Sequence, residues 1–238
     1  MEVLRANRCL SCHPRGTTRG IELTALSVAN EHRRLAPVVA ALIPPSLNRT
    51  GDKLRRDTLR QAIRRDGPRR RPWLKVRMPE YRFEDDELRS LTDSLLRTDE
   101  FPYHSAATDD SLDSATLEHA GARLVTASGF GCTSCHAIGG IEPPDAPLNA
   151  RAPDLAGLGQ RVNRDWFDAW VRNASRIVPR IEMPSITVAV PGVLDQNLDH
   201  QLQAVWHVLN QPEFRPPKPN PIRVVRRSGE DTAAETAV

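Results

Sequence analysis

Methionine, cysteine and tyrosine are scarce in this 238-residue chain, at three, four and two residues. Long apolar runs are missing too. The longest, Val38 to Ile43, ends at Pro44-Pro45 and falls far short of the roughly 20 residues a membrane-spanning helix needs. No alternating run of strand length stands out, so a half-buried sheet is not expected. Hydrophobic residues make up only 39%, little for one large core, and the length allows one or two domains. A formal net charge of +3 gives a nucleic-acid role no support.

What the chain does contain is two copies of Cys-x-x-Cys-His: Cys9-Leu10-Ser11-Cys12-His13 and Cys132-Thr133-Ser134-Cys135-His136. This pentapeptide is the attachment site for c-type haem. Two thiols three positions apart can add to the two vinyl groups of one porphyrin, and the adjacent histidine then lies under the iron. The expectation is two covalently bound haem c groups, with His13 and His136 as proximal ligands. Both motifs together use every cysteine, so none remains for a disulfide or a nucleophile. A four-thiolate zinc cage is one rival, but the pairs are about 120 residues apart and zinc gives no reason for the histidines. A thioredoxin-type redox pair is another, and it needs a strand–helix alternation that is not found.

Apart from the initiator, the only methionines are Met78 and Met183, one downstream of each motif and each followed by proline. Proline stops a helix from forming through the site, which suits a thioether presented from a loop. Methionines also fill gaps in cores, but their paired placement points to the iron's sixth position. His/Met ligation of both irons is the working expectation.

An internal duplication runs at an offset of 108. Pro45 to Asp57 aligns with Pro153 to Asp165, with Pro, Leu, Gly, a basic residue, an aliphatic, Arg and Asp recurring in step. Each copy lies between its motif and its Met-Pro. The spacing from His13 to Pro45 is 32 positions and from His136 to Pro153 only 17, so the first copy carries 15 extra residues, which fall in a helical-looking stretch, Glu22 to Leu42, broken by Pro37. Helical faces also stand out at Leu88/Leu91/Leu95, behind an acidic first turn, at Trp166/Phe167/Trp170/Val171, and at Leu198/Leu202/Val205/Trp206/Leu209. The chain therefore reads as all-α, with a first domain over 1–97, a linker over 98–112, a second domain over 113–211 and a Pro-rich, extended or disordered tail over 212–238.

These residues resemble the class I cytochrome c family, and the layout is similar to the two-domain dihaem cytochromes c, from Cys9 to Asn210. The resemblance implies two tandem class I cytochrome c-like helical haem domains. It implies that Pro45 and Pro153 accept hydrogen bonds from the proximal histidines, and that Leu47 and Leu155 pack on the haems. It also implies a glycine-bearing N-terminal helix crossing an aromatic-bearing C-terminal one, roles that Gly121 and Trp206 fill in the second domain. The first domain departs from this pattern: only eight residues precede Cys9, and Thr58 stands where the second copy has Trp166. One side of the Leu88/Leu91/Leu95 face is thus expected to lie open, covered either by sequence upstream of Met1 or by another subunit.

Charge is segregated. Arg49 to Arg77 holds twelve basic residues against three acidic, and Glu80 to Glu118 the reverse. The basic run carries no aromatic besides Trp73, unlike a nucleic-acid surface. It reads either as solvated helix faces or as a surface beside the first haem that steers an acidic protein redox partner. With both irons doubly ligated there is no open coordination position, so the expected function is electron transfer without substrate chemistry. The alternatives are a dihaem peroxidase-like enzyme using one of His32, His104, His119, His200 or His207, and the cytochrome portion of a larger dehydrogenase or oxidase complex. Haem attachment of this kind occurs outside the bacterial cytoplasm, so a periplasmic location is expected, although MEVLRANRCLSCH lacks the arrangement of an export signal.

Overall fold

The computed structural model describes residues 2–39, 43–69, 77–98, 108–144, 146, 152–178 and 181–218. Among them are eleven α-helices and no strand. In chain order these are α1 (Glu2–Ala6), α2 (Cys9–Cys12), α3 (Glu22–Glu31), α4 (Thr50–Lys53), α5 (Arg56–Arg64) and α6 (Asp85–Thr98), followed by α7 (Ser114–Leu124), α8 (Leu158–Arg161), α9 (Arg164–Arg172), α10 (Ala174–Ile177) and α11 (Leu198–Asn210). The fold is all-α. Two separate hydrophobic clusters form, one from α1, α2, α5 and α6, the other from α7, α8, α9 and α11 and the loops around them.

In the first cluster, α6 begins with Asp85, Asp86 and Glu87 and has Arg97 in its last turn, complementing the helix dipole at both ends. Its Leu88, Leu91 and Leu95 are 0, 2 and 4% exposed. The expected open side is therefore absent. Leu4 of the short α1 and Leu59 and Ile63 of α5 close over these leucines. Burial of each such side chain stabilises by about 1.5–3 kcal/mol, so one leucine from a five-residue helix is a sizeable contribution. On a neighbouring face α4 comes close to α6 because position 51 is glycine. A Cβ there would lie 2.5 Å from the Leu95 carbonyl oxygen and 2.7 Å from the Leu96 Cα.

Arginines of α5 meet carboxylates of α6. Arg56 pairs with Asp93, Arg64 with Asp85, and Arg60 lies 4.0 Å from Asp85. Part of the segregated charge is thus neutralised inside the first domain. Residues 70–76 of the basic run lie outside the described residues.

In the second cluster, α7 crosses α11. Asp113 caps α7 by accepting from the Thr116 amide at 2.8 Å, and Asn197 caps α11 by accepting from the amides of Asp199 and His200, each satisfying otherwise orphaned helix donors. α11 buries Leu202, Ala204, Val205, Val208 and Leu209. Gly121 sets the crossing distance, since a Cβ at that position would lie 2.3 Å from the Ala204 carbonyl oxygen. Trp206 packs on Phe167, with ring centroids 5.1 Å apart.

The duplicated segments face one another. Leu54 and Val162 form an isolated antiparallel bridge. The Arg55 amide donates to the Arg161 carbonyl at 2.9 Å, and the Asn163 amide donates to the Lys53 carbonyl at 3.0 Å. Under the 108-residue offset Leu54 corresponds to Val162, Arg55 to Asn163 and Lys53 to Arg161, so each of the two hydrogen bonds is the other's counterpart. A local pseudo-twofold axis therefore passes between Leu54 and Val162. Leu54 packs against both hydrophobic clusters.

Residues 99–107 of the expected linker lie outside the described residues, but its end is docked: the Asp109 amide and carbonyl bond the Gln203 side chain at 2.9 Å each. The expected extended tail also starts later than 212. Phe214 is 9% exposed and belongs to the second cluster, and Pro216 is buried. Residues 219–238 lie outside the described residues.

Candidate functional site

Each hydrophobic cluster brings together one set of candidate ligands. Cys9, Leu47 and Met78 pack against the first cluster, and Cys132, Leu155 and Met183 against the second. The first motif sits on the single turn of α2, the second on a 3-10 turn, Cys132–Ser134. In both, the residue before the first cysteine is left-handed: Arg8 at φ 55° and Gly131 at φ 75°. The amide of the motif histidine then donates to the carbonyl of the first cysteine at 2.9 Å in each copy.

The imidazoles are held alike. Nδ1 of His13 lies 2.7 Å from the Pro45 carbonyl oxygen, and Nδ1 of His136 lies 2.7 Å from that of Pro153. A carbonyl oxygen only accepts, so Nδ1 carries the proton and the Nε2 lone pair is left for a metal. Leu47 and Leu155 lock the same loops: their amides donate at 2.9 Å to Pro14 and Ala137, the residue after each histidine. Arg15 adds a bond to the Leu47 carbonyl in the first copy only. Thus the same histidine–proline hydrogen bond closes over a separation of 32 positions in one copy and 17 in the other.

Burial tunes the groups. It lowers the His136 pKa, more than the Pro153 bond raises it, which favours the neutral imidazole. It also pushes the Cys132 thiol up to about 11 and raises that of Cys9. Thioredoxin-type pairs need the opposite, a thiol whose pKa is depressed. All four cysteines are free thiols, and among the described residues no group of three or more His, Cys, Asp or Glu side chains gathers as a cage. The two cysteine pairs are thus not gathered into one four-thiolate group here.

The methionines lie ahead of their prolines on segments outside any helix. Three residues after Met78, the pKa of the Tyr81 hydroxyl is raised by burial and next by the Cys9 and Cys12 thiols. Met183 carries a contact that the sequence did not signal: the Trp170 indole N–H donates to its Sδ at 2.9 Å. Trp170 stacks on Trp166 with centroids 4.7 Å apart. The Trp166 Nε1 is buried without an acceptor, an orphaned donor that a carboxylate-bearing group could satisfy.

The remaining histidines are placed elsewhere. His200 pairs with Asp109 at 3.2 Å, and His207 lies within hydrogen-bonding distance of Ser114 and Gln211. His32 and His119 are exposed, and His104 lies outside the described residues. Among the described residues no helix is long and apolar enough to cross a membrane. Comparison with protein-family models, with curated proteins and with solved structures finds no match for this chain.

Proposed function

We propose that this chain is a dihaem c-type cytochrome that passes electrons between protein redox partners and carries out no substrate chemistry. One observation supports the reading above others. In both copies a Cys-x-x-Cys-His histidine donates Nδ1–H to a proline carbonyl at 2.7 Å, which turns Nε2 into a ready metal ligand. The donor set fits haem c: two thiols for the porphyrin edge, a neutral imidazole on one face, and a thioether on a proline-stopped segment of the same cluster.

In this reading Cys9, Cys12, Cys132 and Cys135 would hold the two haems, and His13, His136, Met78 and Met183 would ligate their irons. Each haem, when bound, supplies a one-electron iron couple. Pro45 and Pro153 keep the imidazoles in one tautomer and raise their basicity as ligands. Leu47 and Leu155 supply apolar wall. Met ligation places the potentials on the high side for haem. The attachment chemistry puts the protein outside the bacterial cytoplasm. An acidic partner near the first haem is the proposed docking mode, met by the basic run from Arg49 to Arg77.

Acid-acetone extraction and intact mass test the reading. The colour should stay with the protein, and the mass should exceed the polypeptide by two haem groups. A native, haem-free protein with zinc bound would overturn it.

A further inference from the structure

The two methionines do not share the same surroundings, and the difference crosses the interface between the copies. Lys53 belongs to the first repeat, yet its Nζ lies 4.8 Å from the ring centroid of Trp166 and 5.7 Å from that of Trp170. Trp170 in turn donates to Met183 Sδ. We propose that Lys53 acts through Trp170 on the sulfur of Met183 and holds the second haem at a higher reduction potential than the first. The inference rests on the dihaem reading above.

A thioether sulfur has two lone pairs. If one goes to a metal, the other remains for the indole N–H. That hydrogen bond draws electron density off the sulfur, which weakens its donation and favours the reduced, less charged iron. A cation held within about 6 Å of an indole face interacts with the ring quadrupole. It also polarises the N–H and makes it a stronger donor. Lys53 is anchored for this role, because its carbonyl takes the Asn163 amide at 3.0 Å, and Asn163 Nδ2 donates to the Asp52 carbonyl at 2.7 Å.

Nothing equivalent runs the other way. The counterparts of Trp166 and Trp170 under the offset are Thr58 and Ala62, and neither offers an indole. Thr58 donates instead to the Gln160 carbonyl at 3.3 Å. Lys53's counterpart is Arg161, whose Nη2 is directed to the Asp154 carbonyl of its own copy at 2.7 Å. Among the described residues no N–H or O–H donates to Met78. Lys53 is thus a positioning residue contributed by one domain to the ligand of the other.

The test uses the full-length, haem-loaded protein and its K53M, K53R, W170F and K53M/W170F variants. The second haem is identified as the one whose weak red band, from ferric iron bound to a thioether, disappears in M183A. At a fixed ambient potential, K53M should lower the reduced-to-oxidised ratio of the second haem by about three- to tenfold, where tenfold is about 59 mV for one electron. The first haem should not move. K53R keeps a cation over the rings and should restore most of the shift. W170F should shift the second haem further, and adding K53M to it should change little more.

An unchanged ratio in K53M, an equal shift of both haems, or a full K53M effect in the W170F background would each overturn the inference. These outcomes are separable from failure of the dihaem reading. A chain that retains two covalent haems and its red bands while K53M has no effect defeats only the inference. A chain without covalent haem defeats both.

Discussion

Replacing Gly121 by alanine sets two effects of opposite sign against each other. In an isolated helix the substitution stabilises by about 1 kcal/mol, because glycine costs more backbone entropy. Here a Cβ would sit 2.3 Å from the Ala204 carbonyl oxygen and 2.7 Å from Val208 Cγ1. An ordinary C···O approach is about 3.3 Å or longer, so α7 must back away from α11 by roughly 1 Å. The blocking atom is backbone within a helix and cannot rotate aside. Overpacking of that kind costs up to about 3 kcal/mol, which outweighs the propensity gain and leaves a net loss of about 2 kcal/mol. For a chain of this size that lowers Tm by roughly 4–8 °C. The displacement would also reach the second motif, since the Thr133 amide bonds the Val125 carbonyl just beyond the end of α7 at 3.0 Å. Thermal unfolding followed by far-ultraviolet dichroism measures the change. A Gly121→Ala chain as stable as the parent, or more stable, would refute the close-crossing argument, because propensity alone would then have decided the outcome.

Two further outcomes follow from the same geometry. Met78→Ala and Met183→Ala should each leave both haems attached and open one iron to carbon monoxide, with a lowered potential for that haem; binding of carbon monoxide by the reduced parent would instead favour the peroxidase-like alternative. Asp168 is 1% exposed, and burial raises its carboxyl pKa more than the Arg164 bond at 2.7 Å lowers it. The unfolded chain releases this proton first, so its contribution to stability is complete below the ordinary carboxylate value and is lost as pH rises through the folded pKa. Asp168→Asn should therefore remove that loss, so that stability rises more steeply with pH across this range; an unchanged slope in urea titrations there would contradict the assignment.

The parts of the site that were legible in the sequence are those carried by rare residue types. Four cysteines, two internal methionines and the recurring Pro-x-Leu marked both clusters without any contact information. The Nδ1 bonds of His13 and His136 were anticipated only through a family resemblance, but the structure closes both at one length despite unequal loops. The leucine face of α6 is closed, against expectation, by a helix too short to stand alone. Leu4 needs only one turn to reach the core, and tertiary packing rather than propensity holds it there. Phe214 was hidden among prolines, since composition marks a segment as extended without saying whether it lies on something. The contacts of Trp170 and Lys53 had no signature at all, being set by how the two copies meet.

That meeting separates what duplication preserves from what it leaves open to change. The hydrogen bonds about the axis, Arg55 to Arg161 and Asn163 to Lys53, use only peptide groups. Any residue but proline supplies them, so side-chain divergence cannot erase the joint. Side chains are under no such constraint. Across the same joint Lys53 faces stacked indoles, while Thr58 and Ala62 occupy the matching places on the other side. A symmetric backbone therefore holds two chemically unequal thioethers. Two one-electron centres of equal potential would share an electron without direction. If the chain holds two haems as proposed, unequal surroundings for Met78 and Met183 would favour its residence on one of them, and the contact of Lys53 with the indoles makes the second the expected one.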